Sequence, residues 1–150
     1  MKAFWLEEEG NPTLGADELS AQGIANQSMP TVEAHYQGPL DALRQAQGYT
    51  TQDQVKLSPD MSNLQVICDK FKDEHYHDED EVRFVLSGGG IYDIRSTDDR
   101  WMRVEVEPGD LIVVPAKRHH RFFLTEAKAI HCVRLFQDPS GWVAHYRAAA

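Results

Sequence analysis

The sequence predicts a mainly β domain, an antiparallel sandwich or barrel, with a few short helices in its N-terminal part. Three observations point there. From residue 64 onward, short apolar or alternating runs are separated by Gly, Pro and Asp clusters, the pattern of strands joined by turns. Helix-like patterns fall only in the early part of the chain. At 150 residues and 41% hydrophobic content, the chain is long enough for one domain with a real core, without disulfide staples.

Taken in order, residues 3–6 (AFWL) read as a short strand, stopped by Glu7-Glu8-Glu9 and Gly10-Asn11-Pro12. Residues 16–22 read as a short helix ended by Gly23. Residues 38–48 make a stronger helix. Pro39 suits its first position, Leu40 and Leu43 share a face, and Gly48 suits its C-terminal end. Ser58-Pro59-Asp60 breaks the chain. Residues 64–68, mostly apolar with two β-branched side chains, read as the first strand of a series. Residues 82–86 follow, then the turn Ser87-Gly88-Gly89-Gly90, then 91–95 and the turn Ser96-Thr97-Asp98-Asp99. Residues 102–106 alternate apolar and polar before Glu107-Pro108-Gly109-Asp110. Residues 111–114 are continuously apolar up to Pro115, and 120–124 and 130–136 complete the set. The expected organisation is a single domain over 1–150. Its barrel core covers about 64–137, preceded by a helix-and-strand extension over 1–63 and followed by a tail, 138–150, without core signal.

Lys and Arg number 15 against 24 Asp and Glu, a net charge of −9. Nucleic acid and anionic membrane surfaces both require a basic patch, so neither is an expected partner. No stretch approaches the roughly 20 apolar residues of a membrane span. MKAFWLEEEG lacks the apolar run and cleavage site of a signal peptide. Cys68 and Cys132 sit beside apolar residues with no Cys-x-x-Cys pair, as buried thiols in a reducing compartment do. A cytoplasmic protein is expected.

Residues 73–84, DEHYHDEDEVRF, place two histidines, six acids and one arginine around the start of a strand that reads as buried. In a strand, His75 and His77 project from one face, and two neutral imidazoles side by side can converge on one metal ion. If Asp78-Glu79-Asp80 form a solvated bend, Glu81 opens the next strand and can point back at the same ion. Two histidines and one carboxylate leave other positions open, the arrangement suited to non-haem iron(II) oxygen chemistry. Further on, residues 109–120 read as a turn, a buried strand, a proline stop and a histidine pair. Neighbouring strand residues face opposite ways, so only one of His119 and His120 can point inward. His35, His131 and His145 lack such partners and read as structural or exposed.

With both halves in view, the chain resembles the cupin superfamily. His75, His77, Glu81 and Gly88 meet its first motif, and Gly109, Pro115 and His120 its second. It departs in three places. Asp69 stands where the first motif has a glycine, Lys117 where Pro-x-Gly has its glycine, and Leu124 near the end where Asn is usual. The local sequence is similar, more narrowly, to the acireductone dioxygenase family. The likeness lies in Glu74-His75-x-His77-x-x-Asp80-Glu81-Val82-Arg83-Phe84, in Gly88-Gly89-Gly90 with Tyr92-Asp93, and in Trp101-x-Arg103. It continues through residues 109–116 to His120-Arg121-Phe122, and ends with Arg134-Leu135-Phe136 and Trp142. It is tight over about 64–147 and loose before that.

The resemblance implies a cupin-type double-stranded β-helix (a jelly-roll barrel) with one Fe(II) or Ni(II) per monomer on His75, His77, Glu81 and His120. It implies a methionine-salvage dioxygenase acting on an acireductone, 1,2-dihydroxy-3-keto-5-methylthiopentene, with O2. In the family Fe(II) gives formate and 4-methylthio-2-oxobutanoate, and Ni(II) gives formate, CO and 3-methylthiopropionate. A divalent ion with Glu81 leaves a net positive centre that an anionic enediol can chelate. Arg83, two residues past Glu81, faces the same interior, and a buried guanidinium needs an anion beside it. The enediolate is one candidate, and a structural carboxylate is the other. By resemblance, Arg134 is a second anion-steering group. Phe84, Phe122, Phe136 and Trp142 read as core or pocket wall. A monomer is expected. The rival reading is a metal-binding cupin of another class, either non-catalytic or an isomerase acting on another small anion.

Overall fold

The structure, a computed structural model, describes residues 1–138 and 143–147; Trp142 lies outside the described residues. Its elements are β1 (Lys2–Trp5), α1 (Ala16–Ala21), β2 (Ala25–Ser28), α2 (Glu33–Gln47), β3 (Thr51–Leu57), α3 (Leu64–Phe71), β4 (His75–Tyr76) and β5 (Glu81–Gly88). They continue with β6 (Gly90–Arg95), β7 (Trp101–Val106), β8 (Asp110–Val114), β9 (His120–Leu124), β10 (Ile130–Phe136) and β11 (His145–Tyr146). The architecture is mainly β, as the sequence predicts. Among the described residues one sheet runs β1-β7-β6-β9-β4-β11 and the other β2-β8-β5-β10-β3. The named strand pairs are antiparallel.

Period-2 alternation on β5 sorts its side chains between two cores. Val85 joins Tyr92, Ile94, Met102, Val104, Ile112 and Val114 between the sheets. Val82 and Phe84 face the other way, onto a second core with Tyr36 and Leu40 of α2 and Val133 and Leu135 of β10. Glu81 and Arg83 share the parity of Val85, which aims them into the space between the sheets.

The N-terminal 63 residues belong to the sheets rather than flanking a barrel that starts at 64. β1 pairs with β7, β2 with β8 and β3 with β10. The strands β2 (ANQS) and β3 (TQDQVKL) are polar edge strands, so neither shows the apolar run that marks a central strand. The expected strand over 64–68 is instead α3. Leu64, Ile67, Cys68 and Phe71 recur at i, i+3, i+4 and i+7, and Val66 points to solvent at 60% exposure. α2 begins at Glu33, so Pro39 lies inside it rather than at its first position. Burial of Tyr36 and Leu40 supports the additional turns despite the hydrogen bond that proline removes. Gly48 ends α2 in the left-handed conformation, φ 75°.

Several residues of the family likeness turn out to brace strands. Asp93, fully buried, accepts from Arg103 at 2.7 and 2.9 Å and from Arg121 at 2.9 Å. The Arg95 and Arg121 guanidinium carbons lie 3.8 and 4.3 Å from the Trp101 ring centre. Such pairing is what keeps a charged carboxylate tolerable in the interior.

Gly88 closes the β5–β6 turn at φ 74°, and a Cβ there would collide with the Ala129 carbonyl. Gly88→Ala is therefore expected to cost at least about 2 kcal/mol, read as a lowered midpoint in urea unfolding. An unchanged midpoint would show that the turn can shift to accept a side chain.

Candidate metal centre

Four side chains from both sheets meet in the space between them. The single β4–β9 pair sets His75 opposite His120, and Glu81 arrives from β5 of the other sheet. One ring nitrogen from each of His75, His77 and His120 lies within 4.8 Å of the others. Glu81 Oε1 stands 3.6 Å from His77 Nε2, and Oε2 stands 3.8 Å from His120 Nε2. All four residues are buried.

Backbone carbonyls orient the three rings. Nδ1 of His75 donates to the Asp73 carbonyl at 2.7 Å, that of His77 to Val143 at 3.3 Å and that of His120 to Arg118 at 2.9 Å. With hydrogen on Nδ1, each ring keeps an Nε2 lone pair for the interior. His120 Nε2 is buried with no hydrogen-bond partner among the described residues. A buried acceptor without a partner calls for a ligand, and a divalent cation matches its neighbours, two further imidazoles and a carboxylate.

The charge states suit such an ion. Burial pushes the Glu81 carboxyl up, but Arg83 and the surrounding imidazoles outweigh it and hold it down at about 2. Burial lowers the His120 imidazole to about 4 despite Glu81, and lowers His77 as well. At neutral pH the site therefore offers an ionised carboxylate and neutral His77 and His120 rings, the forms that bind metal.

A cavity of about 70 Å³ opens beside these groups. Arg83 and Arg134 both line it, each with a carboxylate close by. Arg83 Nη2 is 3.4 Å from Glu81 Oε1, and Nη1 donates to the Val82 carbonyl at 3.0 Å. Arg134 makes a two-pronged contact with Asp53 at 2.8 and 2.6 Å. Asp53 lies on the polar strand β3, so that pairing had no signal in the sequence. Phe122 lines the cavity. Phe84 does not: it faces α2, with its ring centre 5.0 Å from that of Tyr36. Phe136 is buried with its ring centre 5.9 Å from the Arg134 guanidinium and is not part of the cavity wall.

Sequence reasoning missed Leu57, Phe71, Ile130 and Cys132 as lining. Phe71 was legible through the helical spacing of α3. Tyr92, noted only as part of a motif, also lines the cavity. Burial first, and then the Glu81 charge, raise its phenol well above the usual range, so it stays protonated. His119 packs edge-on against Tyr76 at 5.2 Å, outside the cluster.

Asp78, Glu79 and Asp80 are more than a solvated bend. Asp80 accepts from the Tyr49 hydroxyl at 2.6 Å and the Ala116 amide at 2.8 Å. Glu79 accepts from the amides of Gln137 and Asp138 at 2.9 and 3.0 Å. Asp78 pairs with Lys117 at 2.5 Å and His145 at 3.0 Å. Lys117, where the motif has glycine, adopts a left-handed φ of 68°, and its amide donates to the His77 carbonyl at 2.8 Å. The loop keeps the turn geometry the glycine would have supplied.

Comparison with known proteins places this geometry in context. The ARD/ARD' family matches residues 8–144. An acireductone dioxygenase of Heterostelium pallidum is 42% identical over 143 residues, covering 95% of each chain. One from a Sulfurihydrogenibium species is 46% identical over 137 residues, covering 91% of this chain and 76% of the relative. Among solved structures, an acireductone dioxygenase from Bacillus anthracis with a cadmium ion in its active centre superposes with a TM-score of 0.89. It is 27% identical and covers 97% of this chain and 98% of its own.

Proposed function

We infer the function from the premise that this chain belongs to the acireductone dioxygenase (ARD/ARD') family. It is a metal-dependent dioxygenase that cleaves an acireductone with O2, and its cofactor is Fe(II) or Ni(II). The observation that carries this reading is the cluster of His75, His77, His120 and Glu81, of which His75, His120 and Glu81 line, with Arg83, a cavity between the sheets. His75, His77, His120 and Glu81 are the residues that would hold the ion. When bound, the divalent metal supplies a Lewis acid and a template for the enediolate and O2.

The remaining work falls to the chain. Neutral His77 and His120 donate without proton release, and carbonyl-anchored Nδ1 atoms keep the Nε2 lone pairs aimed inward. Arg83 stays cationic beside Glu81 and lines the cavity, so it can face an anionic substrate oxygen. Arg134 adds positive potential moderated by Asp53. Leu57, Phe71, Phe122 and Ile130 form an apolar wall suited to a methylthio tail, and it excludes water from the polar end.

By this reading the protein serves methionine salvage as a cytoplasmic monomer. It yields formate and 4-methylthio-2-oxobutanoate with Fe(II), or formate, CO and 3-methylthiopropionate with Ni(II). A net charge of −9 argues against nucleic acid or an anionic membrane as a partner. Among the described residues no helix is long and apolar enough to cross a membrane. The test is to load metal-free protein with each ion in turn, follow O2 uptake with 1,2-dihydroxy-3-keto-5-methylthiopentene, and identify the products. Both forms should consume O2 and release formate, with CO from the Ni(II) form alone. Stoichiometric metal without O2 consumption would refute the assignment.

A further inference from the structure

Tyr92 carries a buried hydroxyl group with no part in the proposed chemistry. β6 pairs it with Phe122 of β9, and pairs Ile94, two residues on, with His120. Strand parity therefore gives Tyr92 the inward face that β9 uses for His120. Packing holds the side chain there. The Phe122 ring centre lies 4.8 Å from that of Tyr92, with the planes at 52°. Phe122 in turn fills the space in front of Gly90, where a Cβ would collide with its ring. Tyr92 is only 4% exposed, and a tyrosine hydroxyl so placed needs a hydrogen-bond partner inside the protein.

The groups around it identify that partner. Tyr92 shares the cavity wall with Glu81, Arg83 and Cys132, and all three act on its phenol. A guanidinium has no acceptor atom, and burial raises the Cys132 thiol, which stays protonated and is a weak acceptor. His120 Nε2 accepts no hydrogen bond among the described residues. The Glu81 carboxylate remains, and the Tyr92 hydroxyl hydrogen-bonds to it. This bond spans the two sheets. β4 and β9, which carry His75 and His120, lie in the six-stranded sheet with β6, whereas Glu81 lies on β5 of the five-stranded sheet. The Arg83 guanidinium, 3.4 Å from Glu81, comes from Glu81's own strand and cannot fix one sheet against the other.

We propose that Tyr92 is a positioning residue: its hydroxyl donates to Glu81 across the gap between the sheets and holds that carboxylate in register with the three imidazoles. The proposal rests on the metal-centre reading and requires nothing of the substrate. A carboxylate at the end of a flexible side chain can turn away from an ion, and a donor on one of its oxygens restricts that rotation. The phenol serves as a fixed donor, and no proton is transferred.

Tyr92→Phe tests this with Ni(II) as probe, because it removes the hydroxyl and keeps the ring against Phe122. In chelator competition it should bind Ni(II) roughly 10-fold more weakly, the size expected when a group that orients a ligand is removed. Leu19→Ala is the control: it truncates a buried side chain of the same core, on α1 and away from the cavity wall, and should keep Ni(II) affinity within about twofold. Adding Ni(II) to the unaltered chain should shift its tyrosine ultraviolet absorption, as the ion draws charge from the carboxylate that accepts the bond. Tyr92→Phe should lose that shift. With Ni(II) saturating, KM for 1,2-dihydroxy-3-keto-5-methylthiopentene should stay the same. Full Ni(II) affinity in Tyr92→Phe overturns the proposal, and full affinity with a raised KM would give the hydroxyl to the substrate instead. An equal loss of affinity in Leu19→Ala also overturns it, because a general loosening of the fold would then suffice. If Tyr92→Phe does not fold, the tyrosine spectrum of the unaltered chain decides, and indifference to Ni(II) overturns the proposal. Failure of the unaltered chain to bind Ni(II) would strike at the metal centre itself.

Discussion

His120→Ala is expected to abolish stable metal binding and turnover, whereas His119→Ala keeps both. The two residues are neighbours, but β9 turns them to opposite faces. His120 is 2% exposed, its Nε2 has no protein partner among the described residues, and Glu81 Oε2 lies 3.8 Å away. Removing it leaves two imidazoles and one carboxylate around an alanine-sized gap. Loss of a residue that only orients a ligand already costs about 10–100-fold in metal affinity, so loss of a ligand should exceed about 100-fold. His119 contributes an edge-on contact with Tyr76, and removing it should cost about 1 kcal/mol of stability and no metal. Metal content after dialysis against a chelator, read beside O2 uptake, separates the two. Stoichiometric metal in His120→Ala would exclude it as a ligand.

The second large effect is expected at Arg83. Arg83→Met should retain stoichiometric metal and lose at least about 100-fold in kcat/KM, the usual scale for removing a preorganised charge from a reacting oxyanion. Arg83 is also the leading influence holding the Glu81 carboxyl low against its burial. In the metal-free variant that carboxyl should therefore rise, and metal uptake should demand a higher pH than in the unaltered protein. Once loaded, the ion takes over as Glu81's cationic neighbour, so the kinetic loss measures the substrate role. Arg83→Lys, which keeps the charge but lacks the planar fork, should fall between the two. Activity within about threefold of normal in Arg83→Met would leave Arg83 a purely structural partner of Glu81.

Legibility in the sequence followed the range of the interaction. His75, His77, Glu81 and Arg83 lie within nine residues, and the two-residue period of a strand puts alternate side chains on one face. The later strands declared themselves through apolar runs and Gly, Pro and Asp turns. Where the sequence misled, a local pattern had two readings or none. Residues 64–68 are apolar enough for a strand, and only Phe71, three residues past that window, completes the helical stripe. The strands β2 and β3 are polar edges whose conformation comes from their partners.

By itself, then, the sequence determined the mainly β class, the N-terminal helices in outline and the donor types that the structure gathers between the sheets. Each of these depends on side-chain chemistry and spacing over a few residues. Only the tertiary structure decided that Phe84 turns its back on the cavity, that Asp53 partners Arg134, that the acids at 78–80 tie the loop down, and that Val143 anchors His77. Most of those contacts join segments dozens of residues apart, and the face Phe84 takes depends on which side α2 covers. Nothing in the spacing of either partner encodes the other, so they exist only once the sheets close around the site.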